Sequence, residues 1–140
     1  MRKIAEIGVA VLLIVALGQG GWAVEPIKIG VLYPTSGSGA VYGTSAMLGH
    51  DMAVEEINAM GGIGGKTPIV TVARDTKLKP AAASAAAKEL ITKEGVDVLM
   101  GGLSAAVGLA ISEVARREKV IYIATIPKAI HMTTSKLHPY

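Results

Sequence analysis

The sequence predicts an α/β domain built on a doubly wound parallel sheet, with a strand order of about 2-1-3-4. Three observations predict it. Four short runs rich in β-branched residues are separated by three segments of helical length, in the order β-α-β-α-β-α-β. Residues 96–100, apart from Asp97, and 120–124 are apolar runs, as expected of parallel strands buried on both faces. Glycine, proline and serine punctuate the junctions, and strand–helix–strand units of this length close by right-handed crossovers.

The elements follow in order. Residues 27–33 form the first strand, closed by Pro34 and followed by the small-residue loop 35–40. A helix runs from about Tyr42 to Met60, with Ala46, Ala53, Val54, Ile57 and Met60 recurring on one face. Gly61-Gly62 stops it, Gly61 suiting the left-handed C′ position. Residues 68–73 make the second strand, leading to Arg74-Asp75-Thr76. Pro80 opens an alanine-rich second helix over 81–93, with Ala83, Ala87, Leu90 and Ile91 as its packing stripe and Gly95 at its end. Residues 96–100 are the third strand, closed by Gly101-Gly102. Ser104 is a favourable N-cap for a third helix whose stripe is Val107, Ile111 and Val114. Residues 120–124 are the fourth strand, and 125–140 show no long element.

The mean hydropathy of +0.47 is high for such a domain, and much of it has a local source. Met1-Arg2-Lys3, the apolar run from Ile7 to Leu17 and the small-residue exit ending at Ala23 have the layout of a secretory signal peptide over residues 1–23. The run is too short to cross a bilayer core of ~30 Å, which takes about 20 residues. Residues 24–140 are then expected in the periplasm of a Gram-negative cell, or secreted. The 140-residue chain has no cysteine, which excludes disulfides, thiolate metal sites and a cysteine nucleophile, and also a lipid anchor on an N-terminal cysteine. A net charge of +3 from scattered residues does not suggest a nucleic-acid partner.

In open α/β sheets a ligand binds beyond the carboxyl ends of the strands, where the strand order reverses. In a 2-1-3-4 sheet the loops at that point are 34–43 and 101–106. Both are made largely of small residues, so backbone amides can approach a ligand. The second loop opens a helix, whose free N–H groups favour a carboxylate. Other motifs are weaker. The loop 37–43 is one residue too long for GxGxxG, and Asp75 after the second strand reads equally as a turn residue. Residues 61–67 imitate a P-loop, but Met60 stands where GxxxxGK requires glycine, and the segment joins helix to strand. His50, His131 and His138 lack metal-type spacing, and no nucleophile–base pair, cofactor or metal site is indicated.

Ile27-Lys28-Ile29-Gly30-Val31-Leu32, Ser36-Gly37, Tyr42-Gly43, the run from Ala53 to Ile63, Arg74-Asp75, Pro80 and Gly101-Gly102-Leu103-Ser104 together resemble the periplasmic leucine/isoleucine/valine-binding protein family, over about residues 26–134. The resemblance implies a two-lobed type I solute-binding protein serving an ABC importer, closing on an amino acid or other small polar solute without chemistry. It implies that Tyr42 packs against the ligand. Where the family often has a Ser-Ser pair, this chain has Ser104-Ala105, so the backbone amides of Ala105 and Ala106 would take over from the second hydroxyl. Where the family commonly has Ser-Pro-Ala-Ala-Thr, this chain has Ala124-Thr125-Ile126-Pro127-Lys128. Ile126 then takes the ligand-facing alanine position, and Lys128 replaces the threonine, either pairing with a second carboxylate or pointing into solvent. These departures bear on the solute's identity rather than on the fold.

The resemblance also implies that residues 24–140 are an N-terminal lobe. The second lobe, with the acid that meets the ligand's ammonium group, would lie beyond Tyr140, and the partner would be an ABC transporter permease. The sequence leaves three alternatives: a ligand-sensing receptor domain of the same fold, a Rossmann-type nucleotide-binding enzyme using the 37–43 loop, and a free-standing flavodoxin-like protein.

Overall fold

The computed structural model describes residues 24–140, so the expected signal peptide over 1–23 lies outside the described residues. Strands β1 (Ile27–Tyr33), β2 (Ile69–Asp75), β3 (Val98–Gly101) and β4 (Ile121–Ala124) form one parallel sheet in the order β2-β1-β3-β4. Helices α1 (Ala40–Ala59), α2 (Pro80–Glu89) and α3 (Ala105–Glu118) are the crossovers, and a short α4 (Ile130–Thr133) follows β4. Strand β1 is central. It pairs with β2 along its whole length, from Ile27↔Ile69 to Tyr33↔Asp75, and with β3 from Ile29↔Val98 to Leu32↔Gly101. The predicted fold class and strand order are both observed.

Alternation along the strands sorts side chains between two faces. On one face Leu32 and Leu99 meet Ala83, Ala87 and Leu90 of the second crossover and Val107, Ile111 and Ala115 of α3 in a single buried cluster. The alanines of α2 let it pack closely against α3, and they need no partner for a polar group. Helix α1 lies on the other face, where the His50 imidazole meets the Thr71 hydroxyl of β2 at 2.8 Å.

Helix α1 is tied at its C-terminal end in two ways. Gly61 and Gly62, both at positive φ, donate to the carbonyls of Asn58 and Ile57, the paired bonds of a Schellman motif. The Asn58 side chain then behaves like a strand residue: its amide donates to the Ile69 carbonyl at 2.9 Å, and its oxygen accepts from the Ile69 N–H at 2.8 Å. Residues 61–67 form a tight connector closed by the Ile63↔Thr67 bridge, in keeping with a helix-to-strand link rather than a P-loop.

Several expectations are corrected. Strand β3 begins at Val98 rather than residue 96: Asp97 meets Lys28 partly through its side chain, its N–H donating to the Lys28 carbonyl at 2.9 Å and its Oδ2 accepting from Lys28 N–H at 2.8 Å. The second helix does not continue regularly to Lys93. It widens into a π turn over Leu90–Glu94 and ends on left-handed Gly95, which lets Leu90 stay buried under the sheet. On α1, Met60 is 68% exposed and Ala53 is also exposed, so the predicted apolar face is only partly used. Strand β4 is not buried on both faces. Ile121 and Ile123 are 54% and 45% exposed, since α1 covers β1 and β2 and no described helix covers β4 on that side.

Two substitutions test this account. Asn58→Ala removes both bonds to Ile69 and is expected to cost about 2 kcal/mol in chemical denaturation; an unchanged midpoint would contradict the strand-mimic role. Lys119 caps α3 at φ +58°, a left-handed conformation that costs a non-glycine residue about 1 kcal/mol. Lys119→Gly should therefore raise the melting temperature by a few degrees, and a lowered one would refute the strain.

Candidate functional site

The exits of β1, β3 and β4 meet at the carboxyl edge of the sheet because glycines remove the side chains that would keep them apart. After β1 the chain turns at Pro34 and enters a short 3-10 turn over Gly37–Gly39 before α1 begins. The first turn of α1 crosses directly over that exit. A Cβ on Gly43 would lie 1.8 Å from the Pro34 carbonyl oxygen, so only glycine fits. Gly39 sits against Pro34 and Leu103, which brings the loop after β1 next to the loop after β3. Gly101 adopts φ +123°, and its Cβ would fall 2.5 Å from the Leu32 carbonyl oxygen.

Asp75 fixes the first loop from the end of β2. It accepts from Thr35 N–H at 2.9 Å, from Lys77 N–H at 2.8 Å and from the Ser36 hydroxyl. Partial burial pushes its carboxyl up, but these hydrogen bonds outweigh burial and hold it below the ordinary aspartate value. Asp75 is thus a loop anchor.

The loop after β3 opens α3. Ser104 is the N-cap, its hydroxyl oxygen accepting from Val107 N–H at 3.3 Å, as the sequence predicts. The N–H groups of Ala105 and Ala106 in the first turn have no intrahelical acceptor, and both residues are exposed. They point the positive end of the helix dipole at the carboxyl edge of the sheet.

The segment after β4 is drawn onto the same edge. Pro127 lies over Gly102 and Gly108, where Cβ atoms would come within 2.7 Å and 2.5 Å of its ring. Thr125 N–H donates to the Gly101 carbonyl at 3.4 Å, and the Tyr122 hydroxyl donates to the same oxygen at 2.9 Å. Burial, with a smaller contribution from nearby Tyr33, pushes the Tyr122 hydroxyl well above its usual range and keeps it a neutral donor.

Of the sequence-predicted residues, Ser104, Ala105 and Ala106 open α3, while Ile126 and Lys128 lie on the adjoining β4 exit. Ile126 is half-buried and Lys128 exposed; among the described residues Lys128 makes no ion pair. Tyr42 is on the first turn of α1 and 67% exposed. Sequence reasoning missed Tyr33 and Thr125, whose hydroxyls meet at 2.7 Å across 92 residues of chain. A tyrosine ending a central strand was the only local signal. A separate cavity of about 320 Å³ lies between α3, β4 and the tail, where Ser112 and His138 are hydrogen-bonded at 2.8 Å. It lies on the α3 flank, and the Gly101–Ala106 turn does not line it.

A family model described as periplasmic binding protein matches residues 26–140. Leu/Ile/Val-binding protein homolog 1 of Brucella abortus is 30% identical over 124 residues, covering 89% of this chain and 32% of that protein. Homolog 8 of the same organism is 36% identical over 100 residues, covering 71% and 24%. The chain therefore spans about a third or less of the length of the curated relatives it matches. Among solved structures, the branched-chain amino acid transporter substrate-binding protein LivJ of Streptococcus pneumoniae, in complex with isoleucine, superposes with a TM-score of 0.74 at 33% identity, over 79% of this chain and 32% of that one. A solute-binding protein of an R. palustris ABC transporter, in complex with 4-hydroxybenzoate, gives 0.68 at 28% identity, over 79% and 29%.

Asp75→Asn tests the loop anchor. A depressed folded-state pKa means that the carboxylate stabilises the fold above its unfolded value and that this contribution is lost as pH falls through the folded one. The variant should be about 1 kcal/mol less stable at pH 7. The gap should close below pH 3.8; a pH-independent gap would argue against the anchor.

Proposed function

The chain belongs to the periplasmic binding protein family, whose members are solute-binding proteins rather than enzymes, and on that premise we propose that residues 24–140 are the N-terminal lobe of the solute-binding component of an ABC importer. In this reading the protein works in the periplasm, after removal of residues 1–23, and delivers its solute to a transporter permease. The family assignment also removes the nucleotide-binding enzyme from the alternatives.

The observation that carries the reading is the convergence of three strand exits on the first turn of α3. A solute carboxylate would accept from the Ala105 and Ala106 N–H groups, where fixed donors and the helix dipole need no reorganisation. Tyr42 would cover the apolar part of the solute, with Ile126 on the facing segment. Lys128 would remain at the rim, available to a second anionic group. Closure of a second lobe would then remove water and strengthen each of these contacts.

The solute class is a small carboxylate, either an amino acid with an apolar side chain or an aromatic acid. Isoleucine in the S. pneumoniae protein and 4-hydroxybenzoate in the R. palustris protein are two solutes held by similar proteins, and both carry a carboxylate. Loss of the second serine hydroxyl at Ala105 and the gain of Lys128 both shift this site away from the branched-chain pattern.

Isothermal titration of the full-length two-lobed protein with the L-amino acids and 4-hydroxybenzoate tests the reading. A Kd in the micromolar range or tighter is expected for at least one, about −8 kcal/mol or better. The Ala105→Pro variant, which removes one donor at the first helical position, where proline fits and Ser104 before it is already extended, should weaken it tenfold or more. Absence of binding to every probe would reject the importer reading.

A further inference from the structure

We propose that Tyr33 is a positioning residue for the solute site, holding the β4 exit from residue 125 to 128 in place through its hydroxyl; the inference rests on the solute-binding reading above. Among the described residues strand β4 pairs only with β3, and that pairing ends at Ala124. Beyond it the backbone has one bond back to the sheet, from Thr125 N–H to Gly101, and at 3.4 Å it is long. The side-chain bond from Tyr33 Oη to Thr125 Oγ1 is 2.7 Å, a well-made hydroxyl pair.

The reach of that bond is unusual. Strands β1 and β4 are separated by β3, which puts them roughly 10 Å apart. Tyr33 crosses that gap just beyond the level at which β3 ends on Gly101, the partner of Leu32. The tyrosine itself is rigidly based. It is 4% exposed, its carbonyl accepts from Thr76 N–H at 3.1 Å, and its position in β1 is fixed in register with Asp75. A fixed residue of the central strand therefore holds an edge segment that carries Ile126 and Lys128.

Thr125 is exposed, so its hydroxyl can turn to water if Tyr33 loses its own. That makes the tie separable from overall stability. Removing it should loosen the segment while leaving the buried cluster around Leu32 and Leu99 intact.

The test measures amide hydrogen exchange in the solute-free protein, then titrates L-isoleucine and 4-hydroxybenzoate, for the unsubstituted chain and for Tyr33→Phe, Thr125→Val and Thr125→Ser. Tyr33→Phe and Thr125→Val should each speed exchange at the Thr125 position, whose N–H is the bond of this exit to the sheet, about tenfold, the effect of one hydrogen bond. Leu32 and Leu99 should not change. Thr125→Ser, which keeps the hydroxyl, should behave like the unsubstituted protein. The same two variants should weaken solute binding three- to tenfold, and the double variant no further than either one. Unchanged exchange at the residue 125 amide overturns the proposal, as does an equal rise at Leu32 and Leu99. Faster exchange without loss of affinity overturns it too and leaves the solute-binding reading standing. If the unsubstituted protein binds neither probe while the exchange pattern holds, the solute-binding reading fails and Tyr33 is a tie for the segment alone, which equally overturns its role at a solute site.

Discussion

The chain leaving β1 passes under α1 and beside the end of β3 with no space for a side chain at either crossing. Gly43 lies against the Pro34 carbonyl and Gly101 against that of Leu32, at distances a Cβ atom cannot occupy. Everything at the carboxyl edge depends on these two approaches. They set the first turn of α1 over the β1 exit and the loop that opens α3 beside it. Larger residues there would separate the two loops and, with them, Tyr42 from the α3 amides.

The rest of the fold serves to hold that edge still. The alanine surface of α2 packs on α3 beneath Leu32 and Leu99, so the helix that presents the free N–H groups is seated on the buried cluster. Asp75 holds the loop after β1 by two hydrogen bonds, to Thr35 N–H and the Ser36 hydroxyl, and Pro127 settles the β4 exit into the space that Gly102 and Gly108 leave. The ion pairs lie elsewhere. Arg74 meets Glu89 and Glu94, and Glu113 meets Arg116 and Arg117, all partly exposed, where such pairs contribute little. Packing and backbone geometry define the site, with charge entering at the helix end and at Lys128.

Much of this was legible in the residues because its signals are local. The alternation of strand and helix, the Ser104 cap and the Gly61-Gly62 stop each depend on a few neighbouring residues, and each stands as expected. Side chains that take over backbone roles were not legible. Asn58 and Asp97 stand in for strand partners, and neither role leaves a periodic trace. The exposed faces of β4 and α1 were misjudged for a related reason: an apolar run reveals what a residue prefers, while cover depends on where a distant helix lies. At the site, the α3 opening was found from its cap and glycines, whereas the Tyr33–Thr125 pair is a long-range contact with no signature at either end.

The central claim is that the junction of the β1, β3 and β4 exits is where a small carboxylate binds. Amide chemical-shift mapping of the ¹⁵N-labelled protein during titration with L-isoleucine or 4-hydroxybenzoate tests it most directly. The account predicts that the largest shifts fall on Gly102, Ala105, Ala106 and Tyr42, saturating together with one affinity. Shifts confined to the cavity beside Ser112 and His138, or spread evenly over the surface without saturation, would contradict it.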